Sequence, residues 1–147
     1  MIKSILVSVD ASPSSNRAVN MAGDLAAKYG AKLYILHVIR DMQLPPQIRR
    51  MAEVEKLMGP RQDVLNFVAS KILSDAETRA KKHGAEKLET INGSGDPATC
   101  IISQAKRKKA DLIIVGTRGL GKVKGVVMGS VSRKVANLTD INCLIIR

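Results

Sequence analysis

The sequence predicts an α/β fold, a five-stranded parallel doubly wound sheet with helices on both faces. Three observations predict it. The strand-like runs are almost purely aliphatic, as in sheets buried on both sides. They alternate with amphipathic helical stretches, the pattern that gives parallel strands and right-handed crossovers. A chain of 147 residues without Trp and with a single Phe suits one domain with a real core, since domains commonly run about 100–150 residues. The expectation is therefore one domain over residues 1–147.

Ser4–Asp10 is a β-branched run stopped by the turn signal Asp10-Ala11-Ser12-Pro13. Ser14 or Ser15 can cap the helix that follows. Ala18, Met21, Ala22, Leu25 and Tyr29 keep its three-and-four spacing, and Gly30 suits its C-terminal end. Ala31–Ile39 is the second strand. Residues 40–62 change character, with Pro45-Pro46 and Gly59-Pro60. They read as an insertion, with a short helix over Gln47–Met58, acting as a lid or a partner surface.

A helix follows with Leu65, Val68, Ala69, Ile72 and Ala76 on one face, ending near His83-Gly84. Glu86–Ile91 is a more polar strand, suited to a sheet edge. Asn92-Gly93-Ser94-Gly95 reads as a turn, then Asp96-Pro97 supplies a cap and an N1 proline. Ile101, Ile102 and Ala105 line that helix, and Lys106–Lys109 favour its C-terminal dipole. Asp111–Gly116 is a buried strand, Ser130–Leu138 a helix with Val131, Val135 and Leu138 in register, and Cys143–Ile146 the last strand. Ligands of such sheets sit at the carboxyl ends of strands, at a topological switch point.

Composition narrows the function. Two cysteines 43 positions apart make neither a disulfide framework nor a zinc cage. The opening run is too short for a signal peptide, and no stretch approaches the roughly 20 apolar residues of a membrane span. The expected compartment is the cytoplasm. The net charge is +11, and the segment from Gln104 to Lys134 carries nine of the basic residues against Asp111 alone. That concentration reads either as a solvated basic surface or as a match to a polyanion, nucleotide phosphate or nucleic acid.

Between the fourth strand and the last helix lie five glycines in fifteen residues, Gly116 to Ser130. Glycine lets backbone N–H groups approach a ligand unobstructed, and a helix opening at Gly129-Ser130 offers unpaired N–H groups to phosphate. Ser130 and Ser132 add hydroxyl donors. A Walker P-loop fits Gly116-x4-Gly121-Lys122 but fails at Val123, where a hydroxyl should bind Mg²⁺. The better match is Gly116-x2-Gly119-x9-Gly129-Ser130.

On that spacing the chain resembles the universal stress protein family, in particular its ATP-binding branch. Val9-Asp10, His37-Val38, Gly95-Asp96-Pro97 and Ala110–Ile113 are further landmarks of the resemblance. It implies an adenine nucleotide alpha hydrolase-like fold with strand order 3-2-1-4-5. It implies ATP as ligand, with Asp10 near the ribose, flanked by Val9 and Ala11, and Val38 against the adenine. Gly116, Thr117, Arg118 and Gly119 would run along the nucleotide, with Gly129, Ser130, Val131 and Ser132 around the phosphates. Asp10 could also touch a nucleotide-bound Mg²⁺.

The family's last strand pairs with its twin, implying a homodimer; Asn142-Cys143-Leu144-Ile145 lacks the proline often found there. No positioned nucleophile is visible in the sequence, so the expected role is regulatory, with at most slow hydrolysis or autophosphorylation. The competing readings are a basic nucleic-acid-binding module on Lys106–Lys109 and Lys122–Lys124, and an ATP-consuming enzyme.

Overall fold

The computed structural model describes residues 1–40, 61–118 and 128–147. The expected helix over Gln47–Met58, and Gly119 with the central loop glycines, lie outside these. Among the described residues nine elements follow in order: β1 (Ser4–Ser8), α1 (Pro13–Tyr29), β2 (Lys32–Ile39), α2 (Arg61–Lys82), β3 (Leu88–Ser94), α3 (Pro97–Arg107), β4 (Leu112–Gly116), α4 (Ser130–Leu138) and β5 (Asn142–Ile146). All strand pairs are parallel, and the sheet order is β3-β2-β1-β4-β5. The order in which strands are added reverses between β1 and β4, which opens the switch-point crevice at their carboxyl ends.

The two sheet faces carry separate aliphatic cores. Ile5, Val7, Leu33, Ile35 and Ile114 meet α1 and α2. Leu6, Leu36, Val38, Ile113 and Val115 meet α3 and α4. Strands that bury both faces need continuous aliphatic runs, which is why β1, β2 and β4 read so clearly. The outer strands differ. β3 leaves polar side chains half-exposed, as an edge should.

Five local readings need correction. Ser12, not Ser14 or Ser15, caps α1: its side chain accepts from the Ser15 N–H, and Pro13 takes the first helical position. The packing stripe of α1 is Ala18, Val19, Ala22, Gly23 and Ala26, leaving Met21 and Tyr29 at the surface. On α2 it is Ala69, Leu73, Ala76 and Ala80, while Val68 is exposed. Small residues let the two helices approach closely: a Cβ on Gly23 would lie 2.6 Å from His83 Cβ and 3.0 Å from the Ala80 carbonyl oxygen. On α4, Val135 is buried, but Leu138 is exposed.

The fifth correction concerns β3. Asn92, Gly93 and Ser94 are not turn residues; they pair with His37, Val38 and Ile39. Gly93 permits this because Cys100 Sγ lies only 2.5 Å from where its Cβ would stand. The turn contracts to Gly95, at φ 98°, before the Asp96 cap. Among the described residues no helix is long and apolar enough to cross a membrane.

Candidate functional site

Parallel strands end together, so the loops leaving β1, β2 and β4 share one rim. At β1 the chain leaves the sheet through Asp10, whose Oδ1 accepts the Ser12 N–H at 2.9 Å. Ala11 between them holds φ 65°, a left-handed conformation that strains any residue with a Cβ. Val9 is buried in the core on the α1 side. Its carbonyl accepts from Nδ1 of His37 at 2.8 Å. A carbonyl only accepts, so the His37 tautomer carries its proton on Nδ1.

The α1 amino terminus is sewn to the end of β4. Ser12 Oγ and Ser14 Oγ donate to the Arg118 carbonyl at 3.1 and 2.6 Å. Gly116 makes the seam possible: a Cβ there would stand 2.5 Å from Ser14 Oγ and 2.8 Å from the Ser15 nitrogen. The need at this glycine is steric.

The loop's two ends then meet. The Thr117 N–H donates to the Ile146 carbonyl at 2.7 Å, extending the β4–β5 ladder. Its carbonyl accepts the Gly129 N–H at 2.5 Å and the buried Ser132 hydroxyl at 3.1 Å. Gly129 caps α4 without any side-chain hydrogen bond to the first turn. By contrast, Ser12 and Asp96 serve the first turns of α1 and α3 with their side-chain oxygens. The α4 amino terminus therefore has backbone donors to offer, beside the exposed Ser130 hydroxyl.

A cleft of about 490 Å³ opens next to it, between Arg40 after β2, Gly95–Ala98 at the start of α3, and Ser130, Val131 and Lys134 of α4. Lys134 Nζ reaches Asp96 Oδ2 across this cleft at 3.2 Å. The Thr99 hydroxyl, then the Thr99 N–H and the Lys134 ammonium, hold the Asp96 carboxyl down at about 2. It stays ionised, and Arg40 remains as a second cation on the rim.

Most of the predicted residues fall into two groups. Ser130 and Val131 line the cleft itself. Asp10, Ala11, Gly116, Thr117, Arg118, Gly129 and Ser132 gather along the β1–β4 seam and the loop closure. Val38 is buried among Ala98, Ile101, Val115 and Val135. Gly119 lies outside the described residues. Sequence reasoning missed Arg40 and Lys134 as cleft residues, and it read Asp96 only as a cap. Gly95-Asp96-Pro97 was the available signal, since a capped turn at a strand's carboxyl end sits on the ligand rim.

Other chemistry is poorly supplied. Burial raises both the Cys100 and the Cys143 thiol, away from the reactive thiolate. Among the described residues no three His, Cys, Asp or Glu side chains group to hold a metal ion. Among the described residues, with one oxygen of Asp10 committed to its turn, no donor set builds a protein-held magnesium site.

The sheet order and this rim define a doubly wound domain of the adenine nucleotide alpha hydrolase-like class. All of residues 1–147 match the universal stress protein family, and the chain belongs to it. It is 35% identical to universal stress protein YxiE of Bacillus subtilis, over the full length of both chains. It is 31% identical to a universal stress protein crystallised in complex with cAMP, with a TM-score of 0.71 and coverage of 99% and 97% of the two chains. Universal stress protein UspA of Lactobacillus plantarum superposes with a TM-score of 0.80 at 25% identity, covering 99% and 98%.

Proposed function

We propose that this chain is an ATP-binding universal stress protein, a regulatory homodimer joined through β5 and turning over its nucleotide slowly if at all. The observation that carries the nucleotide reading is the α4 amino terminus. Its first turn has no side-chain cap, opens at the Gly129 pinned to Thr117, and adjoins the cleft. Backbone amides so placed favour a phosphate. The relative solved with cAMP supports an adenine nucleotide as its owner.

In this reading Ser130 and the N–H groups of Ser130, Val131 and Ser132 take the phosphates. Arg118 adds positive charge from the β4 side, and Asp10 meets the ribose. Val38 and its neighbours supply the apolar wall for the base. A magnesium ion would arrive with the triphosphate and neutralise its charge. Among the described cleft residues no side chain is set to position a nucleophile, and this reading therefore favours binding over turnover.

Native mass spectrometry of the purified protein reports co-purifying nucleotide and subunit number together. Calorimetry with ATP, AMP and cAMP then ranks the ligands. Micromolar or tighter ATP binding that survives Gly129→Asp with Ser130→Ala would contradict the site.

A further inference from the structure

We infer that His37 is a positioning residue, a wedge that keeps the β1–β2 ladder open at the nucleotide rim. The inference rests on the proposed nucleotide site and adds a residue to it. Along the paired region, alternate residues of β2 face β1. The Lys32 N–H donates to the Lys3 carbonyl at 2.9 Å, and the Val9 N–H donates to the Leu36 carbonyl at 2.8 Å. Intervening residues face β3, as when the Leu33 N–H donates to Lys87 at 2.8 Å. Continuing this period, the Val38 N–H should donate to the Val9 carbonyl.

It does not. Among the described residues no backbone N–H reaches the Val9 carbonyl. His37 Nδ1 takes it instead, at 2.8 Å. The half-buried imidazole thus satisfies a carbonyl at the point where β1 turns off toward Asp10, and it spares the Val38 amide on the β1 side. Val38 stands at the carboxyl end of β2, two residues before the cleft residue Arg40. The open ladder step therefore leaves a backbone donor on the rim for a polar edge of the base. It also fixes where Asp10 and the strained Ala11 begin.

Without the ring, Val38 and Val9 can close the missing bond. That would bring β1 and β2 together one step further and remove the donor. His37→Leu deletes the Nδ1 donor at similar bulk, whereas Asn places an amide donor near the Nδ1 position. Hydrogen exchange at the Val38 amide and ATP affinity test the idea together. His37→Leu should slow Val38 exchange and weaken ATP binding about five- to tenfold, the worth of one hydrogen bond. His37→Asn should restore both to within about twofold. Unchanged affinity and exchange in His37→Leu would overturn the wedge, as would equal losses in the Leu and Asn variants. If the wild-type protein binds no adenine nucleotide, the proposed function fails, and Val38 exchange alone then decides the role of His37.

Discussion

Ser132 Oγ donates to the Thr117 carbonyl at 3.1 Å, bridging fifteen residues of chain from within the first turn of α4. Both side chains are buried, so water cannot replace the bond cheaply. Ser132→Ala should cost about 1 kcal/mol of stability by urea titration. It should also weaken nucleotide binding, because the loop mouth loses one of its two fasteners. A variant of wild-type stability would show that Gly129 alone closes the loop.

The second fastener is steric as well as polar. Gly129 has φ −66°, open to any residue. A Cβ there would nevertheless stand 2.9 Å from the Thr117 carbonyl oxygen and 3.4 Å from Arg118 Cα. Gly129→Ala should cost about 1–3 kcal/mol through overpacking. Gly116→Ala should cost at least as much, since all three of its nearest atoms, two of them α1 backbone, would stand 2.5 to 2.9 Å from the new Cβ. Thermal melts of the two variants give the ranking directly.

Ala11 predicts the opposite sign. A left-handed non-glycine residue costs roughly 1–2 kcal/mol, while glycine costs roughly 0.5–1 kcal/mol more chain entropy on folding. Ala11→Gly should therefore be neutral or stabilising by up to about 1 kcal/mol. Ala11→Val, β-branched at φ 65°, should destabilise clearly. Loss of stability in the glycine variant would mean that the Ala11 methyl packs usefully.

The order of elements and the rim were legible because each depends on local pattern. Aliphatic runs such as Leu112–Val115 have few other homes, and Gly116-x2-Gly119-x9-Gly129-Ser130 needs no partner to be seen. What stayed hidden was tertiary. Ser14 bonds Arg118 across 104 residues, and Lys134 meets Asp96 across 38. Neither residue's neighbours in sequence hint at this. The helix stripes were misread for a related reason. Ala and Gly pass equally for surface or interface, so pattern alone favours Met21 and Tyr29, and only packing against α2 selects Gly23 and Ala26. Asn92-Gly93-Ser94 resembles a turn by composition, yet it pairs with β2, and the crowding of Cys100 and Leu36 around Gly93 explains the glycine there.

Acid should weaken the fold through three carboxylates. The Lys108 and Lys32 ammonium groups lower Glu89 from 4.5 to about 2, and Thr99 leads in lowering Asp96 from 3.8 to about 2. Backbone N–H donation from Lys3 leads in lowering Asp111. A carboxyl depressed in the folded state binds its proton more readily unfolded, so stability rises with pH across the window. The contribution is complete above about 4.5 and disappears as pH falls toward about 2. Melting temperature should drop across that interval. Asp96→Asn, which keeps a capping oxygen, should flatten the drop. An identical slope would remove Asp96 from the account.

Among the described residues, the basic side chains of α3 and α4 do not form one surface. Lys106 and Arg107 close α3 at the amino end of the sheet, and Lys108 there is paired with Glu89. Arg118 and Lys134 belong to the opposite, carboxyl end. Five-residue strands such as β4 separate the two by about 17 Å, roughly two Debye lengths at physiological salt. A nucleotide at the α4 terminus should scarcely feel the α3 end. Lys106→Glu with Arg107→Glu should change ATP affinity by less than about twofold, while Arg118→Glu should weaken it severalfold. If both variants lose affinity alike, and the loss grows as salt is lowered, the anion spans the sheet from end to end. That result would favour a nucleic acid over a nucleotide.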